Sequence, residues 1–222
     1  MLMAIDNLYP LYPKQEEISI LKRKYRLYGW ARGGWKSYWL RSEIVAQCNW
    51  ANPVRGLVLR RTFPEVYDNT VVPLMSELPQ EIYQYNWSKG VMTFKNGSTV
   101  KFSYCRNLKD VLKYQGIEFD FIAIEELTHW TEKEFKKLIW SLRTTKLWVT
   151  ANFFATTNPG WVWHKWVKRL WITRNFEENE YWEDYGFVQS FVYDNPALME
   201  NDPEYVKALL NSPEITMPSL CQ

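Results

Sequence analysis

A lysine–serine pair preceded by glycines is the feature of this sequence with the clearest chemical use. Residues 28–37 read Tyr-Gly-Trp-Ala-Arg-Gly-Gly-Trp-Lys-Ser. In a phosphate-binding loop of the form G-x-x-x-x-G-K-[ST], backbone amides face the phosphates, the lysine reaches them and the hydroxyl binds a magnesium ion. When the pattern is aligned on Lys36 and Ser37, its two glycines fall at Trp30 and Trp35. A glycine turn before a helix with a chance Lys-Ser pair is the alternative, and this stretch alone does not decide between them.

Two adjacent acids, Glu125 and Glu126, end the continuous apolar run 119–124. Adjacent carboxylates are costly unless a cation or a proton shares their site. One of them could therefore support a metal ion while the other faces a water molecule. A strand that simply ends in exposed acids is the plainer alternative.

Two weaker signals carry polar groups suited to a nucleotide. Thr156-Thr157-Asn158 follows a second apolar stretch, where it could respond to a phosphate, although an ordinary turn before Pro159-Gly160 has the same composition. Gln15 offers one donor and one acceptor, which match the N6 and N7 edge of adenine. A solvated helix residue is the alternative for Gln15.

Strands alternating with helices predict an α/β fold with a mostly parallel central sheet flanked by helices. The dipeptide Asn96-Gly97 predicts an antiparallel hairpin added to that sheet. In such sheets ligands bind beyond the carboxyl ends of the strands, and all three loops described above follow predicted strands. The patterns predict strands at 25–28, 56–60, 91–94, 99–104, 119–124, 147–155 and 187–193, and helices at 14–24, 36–49, 63–78, 108–114, 132–143, 164–171 and 202–210.

Composition excludes several classes of protein. The chain has 222 residues and a formal charge of +2, so its overall charge does not favour nucleic acid. No run of 18 uncharged apolar residues is present, and no membrane partner is expected. Three distant cysteines, without C-x-x-C spacing, indicate neither a zinc site nor a disulfide framework and favour an intracellular setting.

Taken together, the motifs resemble the large terminase subunit of tailed bacteriophages, the ATPase motor that packages DNA. The resemblance spans about residues 9–211 and depends on the order and spacing of the motifs. Its segments are Tyr-Pro-Lys-Gln-Glu-Glu at 12–17, the Lys-Ser loop, Leu-Arg-Arg-Thr-Phe-Pro at 59–64, Tyr-Gln-Gly-Ile-Glu-Phe-Asp at 114–120, Glu-Leu-Thr-His-Trp at 126–130, Thr-Thr-Asn-Pro-Gly at 156–160 and Asp-Asn-Pro-Ala-Leu at 194–198.

The resemblance implies a P-loop ATPase fold of the ASCE type, with ATP and Mg²⁺ bound at its site. It implies an ATPase domain over residues 1–211, with residues 212–222 leading toward a C-terminal nuclease domain, so that nuclease activity is expected to be absent from this fragment. The implied catalytic residues are Glu126, Lys36 and Arg32. The implied ATP-binding residues are Gln15, Arg32, Gly33, Gly34, Lys36 and Ser37. Metal ligation is implied for Ser37 and Glu125, where Asp is usual, and coupling for Thr156, Thr157 and Asn158. Arg143 and Arg106 are candidates for an arginine that acts on a neighbouring subunit, with Lys113 as a weaker one.

The same resemblance implies the partners and the setting. These are double-stranded DNA, the portal protein, the small terminase subunit and a homo-oligomeric ring docked on the procapsid in the host cytoplasm. The basic and aromatic stretch 164–171 could contact DNA phosphates, although an amphipathic helix with a solvated basic face fits equally well. Two alternatives stay open: another P-loop DNA translocase, and a nucleotide-binding or scaffold module with impaired turnover.

Tryptophan stands where glycine is expected at several positions. The chain has 13 Trp and 9 Gly, whereas glycine usage of about 7% is typical of proteins. Family members usually carry glycine at the positions matching Trp161 and Trp163, and Trp50 and Trp87 also lie in turn contexts. We therefore expect several of these tryptophans to be altered or misassigned positions. As written, Trp30 and Trp35 predict weak ATP binding, because bulky residues hold glycine conformations poorly.

Overall fold

The computed structural model describes residues 9–29, 35–48, 52–158 and 164–210. Its strands are β1 (Tyr25–Gly29), β2 (Arg55–Arg60), β3 (Tyr83–Asn86), β4 (Val91–Phe94), β5 (Thr99–Tyr104), β6 (Phe121–Ile124), β7 (Asn152–Thr157) and β8 (Tyr185–Gln189). Its helices are α1 (Pro13–Ile20), α2 (Lys36–Cys48), α3 (Phe63–Val66), α4 (Val72–Glu77), α5 (Leu108–Leu112), α6 (Glu132–Leu138), α7 (His164–Val167), α8 (Pro196–Asn201) and α9 (Pro203–Leu210). A π-helical segment (Tyr67–Val71) joins α3 to α4, and a second one (Lys168–Ile172) extends α7.

All eight strands form one sheet in the order β3-β4-β5-β2-β6-β7-β1-β8. The neighbouring strands β5-β2-β6-β7-β1-β8 all run parallel to one another. In contrast, β4 pairs antiparallel with both β3 and β5. The predicted α/β class, the mostly parallel sheet and the antiparallel hairpin are confirmed. Parallel pairing places the carboxyl ends of β1, β2, β6 and β7 at the same edge of the sheet.

Apolar side chains cover both faces of the sheet. Successive residues of a strand point to opposite faces, and in β6 Phe121 and Ala123 join one buried cluster while Ile122 and Ile124 join the other. The first cluster includes Leu40 and Ile44 of α2, and the second includes Phe135 of α6. Burial on both faces explains why the central strands are continuous apolar runs.

Several predicted boundaries were wrong. The strand expected at 147–155 begins only at Asn152 and continues to Thr157, because Leu147 and Trp148 are exposed outside the sheet. The strand expected at 187–193 is β8, which ends at Gln189, four residues before the expected end. A short 3₁₀ turn follows it. The expected helices at 14–24 and 132–143 end at Ile20 and Leu138. Strand β3 and helix α8 were not predicted.

Among the described residues, no helix combines the length and the apolar character that crossing a membrane requires.

Candidate active site

The loops singled out in the sequence meet at the carboxyl edge of the sheet. Strand β7 lies between β1 and β6, and its register sets Gly29 opposite Thr157 and Ile124 opposite Ala155. The carboxyl ends of β1, β6 and β7 therefore lie side by side. This adjacency is what a site built from three loops requires.

Gly29 ends β1 where the chain leaves the sheet. Its φ is 140°, and a Cβ atom there would overlap the carbonyl oxygen of Thr157 and Cδ of Lys36. Only glycine fits such a position without strain. The overlap also shows that the buried Lys36 side chain lies across the end of β1. Several residues that the sequence marks as candidates lie outside the described part of the chain. They are Trp30, Arg32, Gly33, Gly34, Trp50, Trp161 and Trp163.

Ser37 and Glu125 are brought into contact. The Ser37 hydroxyl donates a hydrogen bond to one carboxylate oxygen of Glu125, a side chain that is 2% exposed. The other oxygen accepts from the Thr70 hydroxyl at 3.2 Å and lies 3.4 Å from the Arg60 guanidinium. Burial raises the pKa of Glu125 and the neighbouring Glu126 adds to the rise, while Arg60, Ser37 and Thr70 oppose it. Carboxylate and hydroxyl oxygens are the ligand types that Mg²⁺ takes, so this pair fits a magnesium ion.

Glu126 is held beside the end of β7. Its backbone is left-handed, with φ 58°, and its N–H donates to the Thr156 hydroxyl at 3.3 Å. The Asn158 side-chain amide donates to the Glu126 carboxylate at 2.5 Å. The Thr128 hydroxyl in turn donates to the Asn158 carbonyl at 3.1 Å. Hydrogen bonds thus join the two loops, so a change in the position or charge of Glu126 alters the hydrogen bond made by Asn158.

The predicted Thr-Thr-Asn turn needs one correction. Thr156 and Thr157 are buried as the last two residues of β7, so only Asn158 stands beyond the strand. The Oδ1 atom of Asn158 is buried and has no hydrogen-bond partner among the described residues. Such a group is available to a ligand or a water molecule.

Arg61 holds the loop that follows the two acids in place, a role that the sequence patterns did not predict. Its guanidinium donates to the carbonyls of Cys105 and His129, forms a pair with Glu134 at 2.7 Å and stacks 4.5 Å above the Trp130 ring. Although burial alone would raise the pKa of Glu134, hydrogen bonds from Arg61 and Thr131 lower it overall. Arg60 and Thr70 were missed as well. Two consecutive arginines after an apolar strand could have indicated that Arg60 and Arg61 lie near the site. No sequence pattern indicated that Thr70 does.

Gln15 is buried and both ends of its amide are engaged. Its Oε1 accepts from the Tyr12 backbone at 3.0 Å, and its Nε2 donates to the Trp35 carbonyl at 3.3 Å. Trp35 has a left-handed φ of 49° and is 38% exposed. Its ring packs against Tyr12 at 5.5 Å and Tyr38 at 5.2 Å between centroids. Trp35 therefore contacts the glutamine through its backbone carbonyl, and it does so on a backbone conformation that favours glycine.

The two arginine candidates lie at different edges of the sheet. Arg106 follows β5 at the same edge as Glu126, is exposed, and stacks 5.3 Å from the Tyr104 ring centroid. Arg143 donates its backbone N–H to Phe119, ahead of the start of β6, and pairs with Glu118 at 2.8 Å. It therefore lies toward the opposite edge. Lys113 is paired with Asp110 at 2.5 Å.

The aromatic residues of the basic stretch 164–171 belong to the core. Trp166 and Trp171 are buried and donate to the backbone carbonyls of Trp130 and Tyr25 at 2.7 Å and 3.1 Å. Arg169 is held between Glu132 and Glu180, which lowers the pKa of Glu180 to about 2. This stretch therefore offers DNA no aromatic surface through its tryptophans.

Solved structures share the fold. The large terminase of the thermophilic bacteriophage D6E in complex with ATP-gamma-S matches with a TM-score of 0.68 and 15% identity, over 93% of this chain and 51% of that one. The ATPase domain of the Thermus phage P74-26 large terminase matches with a TM-score of 0.58 and 15% identity, over 94% of this chain and 92% of that one. The chain thus spans about half the length of the D6E protein and most of the P74-26 domain.

The sequence itself identifies the family. No curated protein sequence matches the chain. Residues 22–213, most of the chain, match the family model described as phage terminase large subunit. The chain therefore belongs to the phage terminase large subunit family.

Proposed function

We propose that this chain is the ATPase domain of a DNA-packaging motor and that it hydrolyses ATP at the carboxyl edge of its sheet. The observation that carries the proposal is the pairing of Ser37 with Glu125 beside Glu126, whose carboxylate Asn158 holds. A hydroxyl, two acids and a lysine at adjoining strand ends are the groups that phosphoryl transfer to water requires. Family membership and the shared fold support the same proposal.

In the proposed reaction, Lys36 neutralises charge on the β- and γ-phosphates and Gln15 contacts the adenine. Arg32, Gly33 and Gly34 complete the phosphate loop. Ser37 and Glu125 would hold Mg²⁺, which would supply positive charge to offset the charge that develops on the phosphates. Glu126 orients the attacking water in line with the γ-phosphate and accepts its proton.

Release of the Glu126–Asn158 hydrogen bond is the first movement we infer for coupling. Once Glu126 accepts the proton of the attacking water, the Asn158 amide loses a charged acceptor at 2.5 Å, and hydrogen bonds to charged groups are worth about 1.5–3 kcal/mol. Thr156 and Thr157 would pass the change into β7. Of the two arginines, Arg106 is the better placed to reach a neighbouring subunit's nucleotide, because it is exposed at the same sheet edge as Glu126.

The wider proposal follows the family. The motor would move double-stranded DNA into a procapsid as a homo-oligomeric ring, with the portal protein and the small terminase subunit, in the host cytoplasm. Residues 1–211 would form the ATPase domain, and residues 212–222 would lead toward a nuclease domain.

A second candidate function is a nucleotide-binding or scaffold module with impaired turnover. The left-handed backbone at Trp35, whose ring packs on Tyr12, favours this candidate for the chain as written.

ATP turnover in three proteins tests the proposal: the chain as written, the Trp30→Gly/Trp35→Gly variant, and that variant with Glu126→Gln. We expect Mg²⁺-dependent hydrolysis in the glycine variant and its loss by at least about a hundredfold with Glu126→Gln, because a positioned base contributes roughly 10²–10⁴ in rate. ATP binding without hydrolysis in the glycine variant would favour the module. An unchanged rate with Glu126→Gln would remove Glu126 from the reaction.

A further inference from the structure

The Glu125 carboxylate is held from three separate elements, of which the phosphate-loop pattern supplies only one. Ser37, at the start of α2, bonds one oxygen. Thr70, in the π-helical segment, and Arg60, at the end of β2, both approach the other at 3.2 Å and 3.4 Å. One oxygen therefore faces the phosphate loop, and the other is held by Thr70 and Arg60, which together we call the Glu125 brace.

Thr70 is fully buried and its hydroxyl is directed at Glu125. The side chain is 1% exposed, and the adjacent Val71 is part of the core. Burying a hydroxyl is tolerated only where it finds a partner, and the hydrogen bond of Thr70 is to Glu125. The residue lies on a π-helical turn, a rare conformation that is often found at functional sites.

A glutamate at this position needs more restraint than an aspartate would. Its side chain has one additional rotatable bond, and fixing a glutamate side chain costs up to about 1.5–2 kcal/mol of conformational entropy. Donors on only one carboxylate oxygen would leave the group free to pivot. Thr70 and Arg60 hold the second oxygen, so the first is presented to Ser37.

We propose that Thr70 and Arg60 are positioning residues that aim Glu125 at the metal side of the nucleotide site. This inference rests on the proposed ATPase function. It predicts that loss of the Thr70 hydroxyl weakens metal binding and the hydrolysis step, while the affinity for the nucleotide itself changes little. A residue that merely stabilised the fold would change neither metal affinity nor kcat in the folded protein.

The test compares Thr70→Val and Thr70→Ser in the Trp30→Gly/Trp35→Gly background. Ser141→Ala is the matched control, because it removes another buried hydroxyl, bonded to the Tyr114 carbonyl at 2.8 Å. Three quantities are measured: kcat and KM for ATP, the half-saturating Mn²⁺ concentration in the presence of ADP, and Tm. Mn²⁺ is the probe because its binding can be followed directly by electron paramagnetic resonance.

For Thr70→Val we expect kcat to fall about tenfold and Mn²⁺ affinity to fall by a similar factor, as loss of one hydrogen bond to a charged group implies. KM should stay within about twofold, since among the described residues the Thr70 hydroxyl bonds Glu125 and neither Lys36 nor Gln15. Thr70→Ser should restore both quantities and Ser141→Ala should change neither. Unchanged kcat and Mn²⁺ affinity in a folded Thr70→Val would overturn the proposal.

Two further outcomes remain decisive. If the glycine background hydrolyses no ATP, the proposed function fails, and the Mn²⁺ titration alone decides whether Thr70 positions Glu125. If Thr70→Val does not fold, Arg60→Gln takes its place, because Arg60 lies closer to the surface. It is expected to lower Mn²⁺ affinity in the same way, and an unchanged affinity would count against the brace.

Discussion

Replacing Trp35 by glycine should strengthen nucleotide binding with little effect on stability. Trp35 combines a backbone conformation that favours glycine with a ring packed between Tyr12 and Tyr38. Its carbonyl accepts the Gln15 amide, and its ring packs on Tyr12, the N-cap residue of the helix that carries Gln15. We expect entry of the adenine to displace the indole from the two tyrosines.

The ring contacts set the size of the effect. Each aromatic pair is worth about 0.5–1.5 kcal/mol, so displacing the indole from both tyrosines would oppose binding by about 1–3 kcal/mol. Glycine carries no such cost, and Kd for the nucleotide should fall roughly fivefold to a hundredfold. In the free protein the lost ring contacts oppose the relief of about 1–2 kcal/mol of left-handed strain. The free energy of unfolding should therefore change by no more than about 2 kcal/mol.

Calorimetric titration with Mg·ATP-gamma-S measures Kd, and thermal unfolding measures stability, for the chain as written and for Trp35→Gly. Trp148→Gly is the control, because Trp148 is 81% exposed, is remote from Gln15 and has no left-handed backbone. An affinity for Trp35→Gly within twofold of the original, or weaker, would refute the reasoning. The same gain in affinity in Trp148→Gly would show that removing a tryptophan raises nucleotide affinity whether or not it lies near the site.

Three further predictions concern the site and its surroundings. Asn158→Ala should lower kcat about tenfold in the glycine variant and leave Kd for nucleotide within twofold, because it frees the Glu126 carboxylate; unchanged kcat would contradict the proposal that Asn158 holds Glu126 in its working position. Unfolding at decreasing pH should show a loss of about 1 kcal/mol between pH 4.5 and pH 2, because the folded-state pKa of Glu180 is lowered to about 2 and its pairing is lost as it protonates; Glu180→Gln should abolish this step. The native protein should carry glycine at position 35, where the backbone is left-handed, and tryptophan at the buried position 39; an indole at position 35 by mass spectrometry of the native protein would contradict this.

The architecture could be predicted because it depends on local patterns. Apolar runs such as 119–124, followed by polar loops, indicate buried parallel strands, and parallel strands place their carboxyl ends together. The meeting of Ser37 with Glu125 follows from that rule and from the order of the motifs. The hairpin at Asn96-Gly97 could be predicted as well, because its turn needs a positive φ, which Gly97 supplies at 87°.

The brace around Glu125 could not be predicted, because it depends on contacts between distant parts of the chain. Thr70 is 55 residues from Glu125, and its orientation depends on a π-helical turn that no residue pattern marks. Strand ends were missed for a related reason. Leu147 and Trp148 have the composition of a strand, yet the chain turns there, with the Val149 N–H bonded to the Lys146 carbonyl; no described strand pairs with them, and they remain exposed.

The most direct test of the central claim is a crystal structure of the Trp30→Gly/Trp35→Gly protein with Mg²⁺ and ATP-gamma-S. We expect the phosphates at the start of α2 against Lys36, the metal ion beside Ser37 and Glu125, and the adenine next to Gln15. Density for the nucleotide elsewhere, with the Ser37–Glu125 hydrogen bond intact and no metal beside it, would contradict the proposed site.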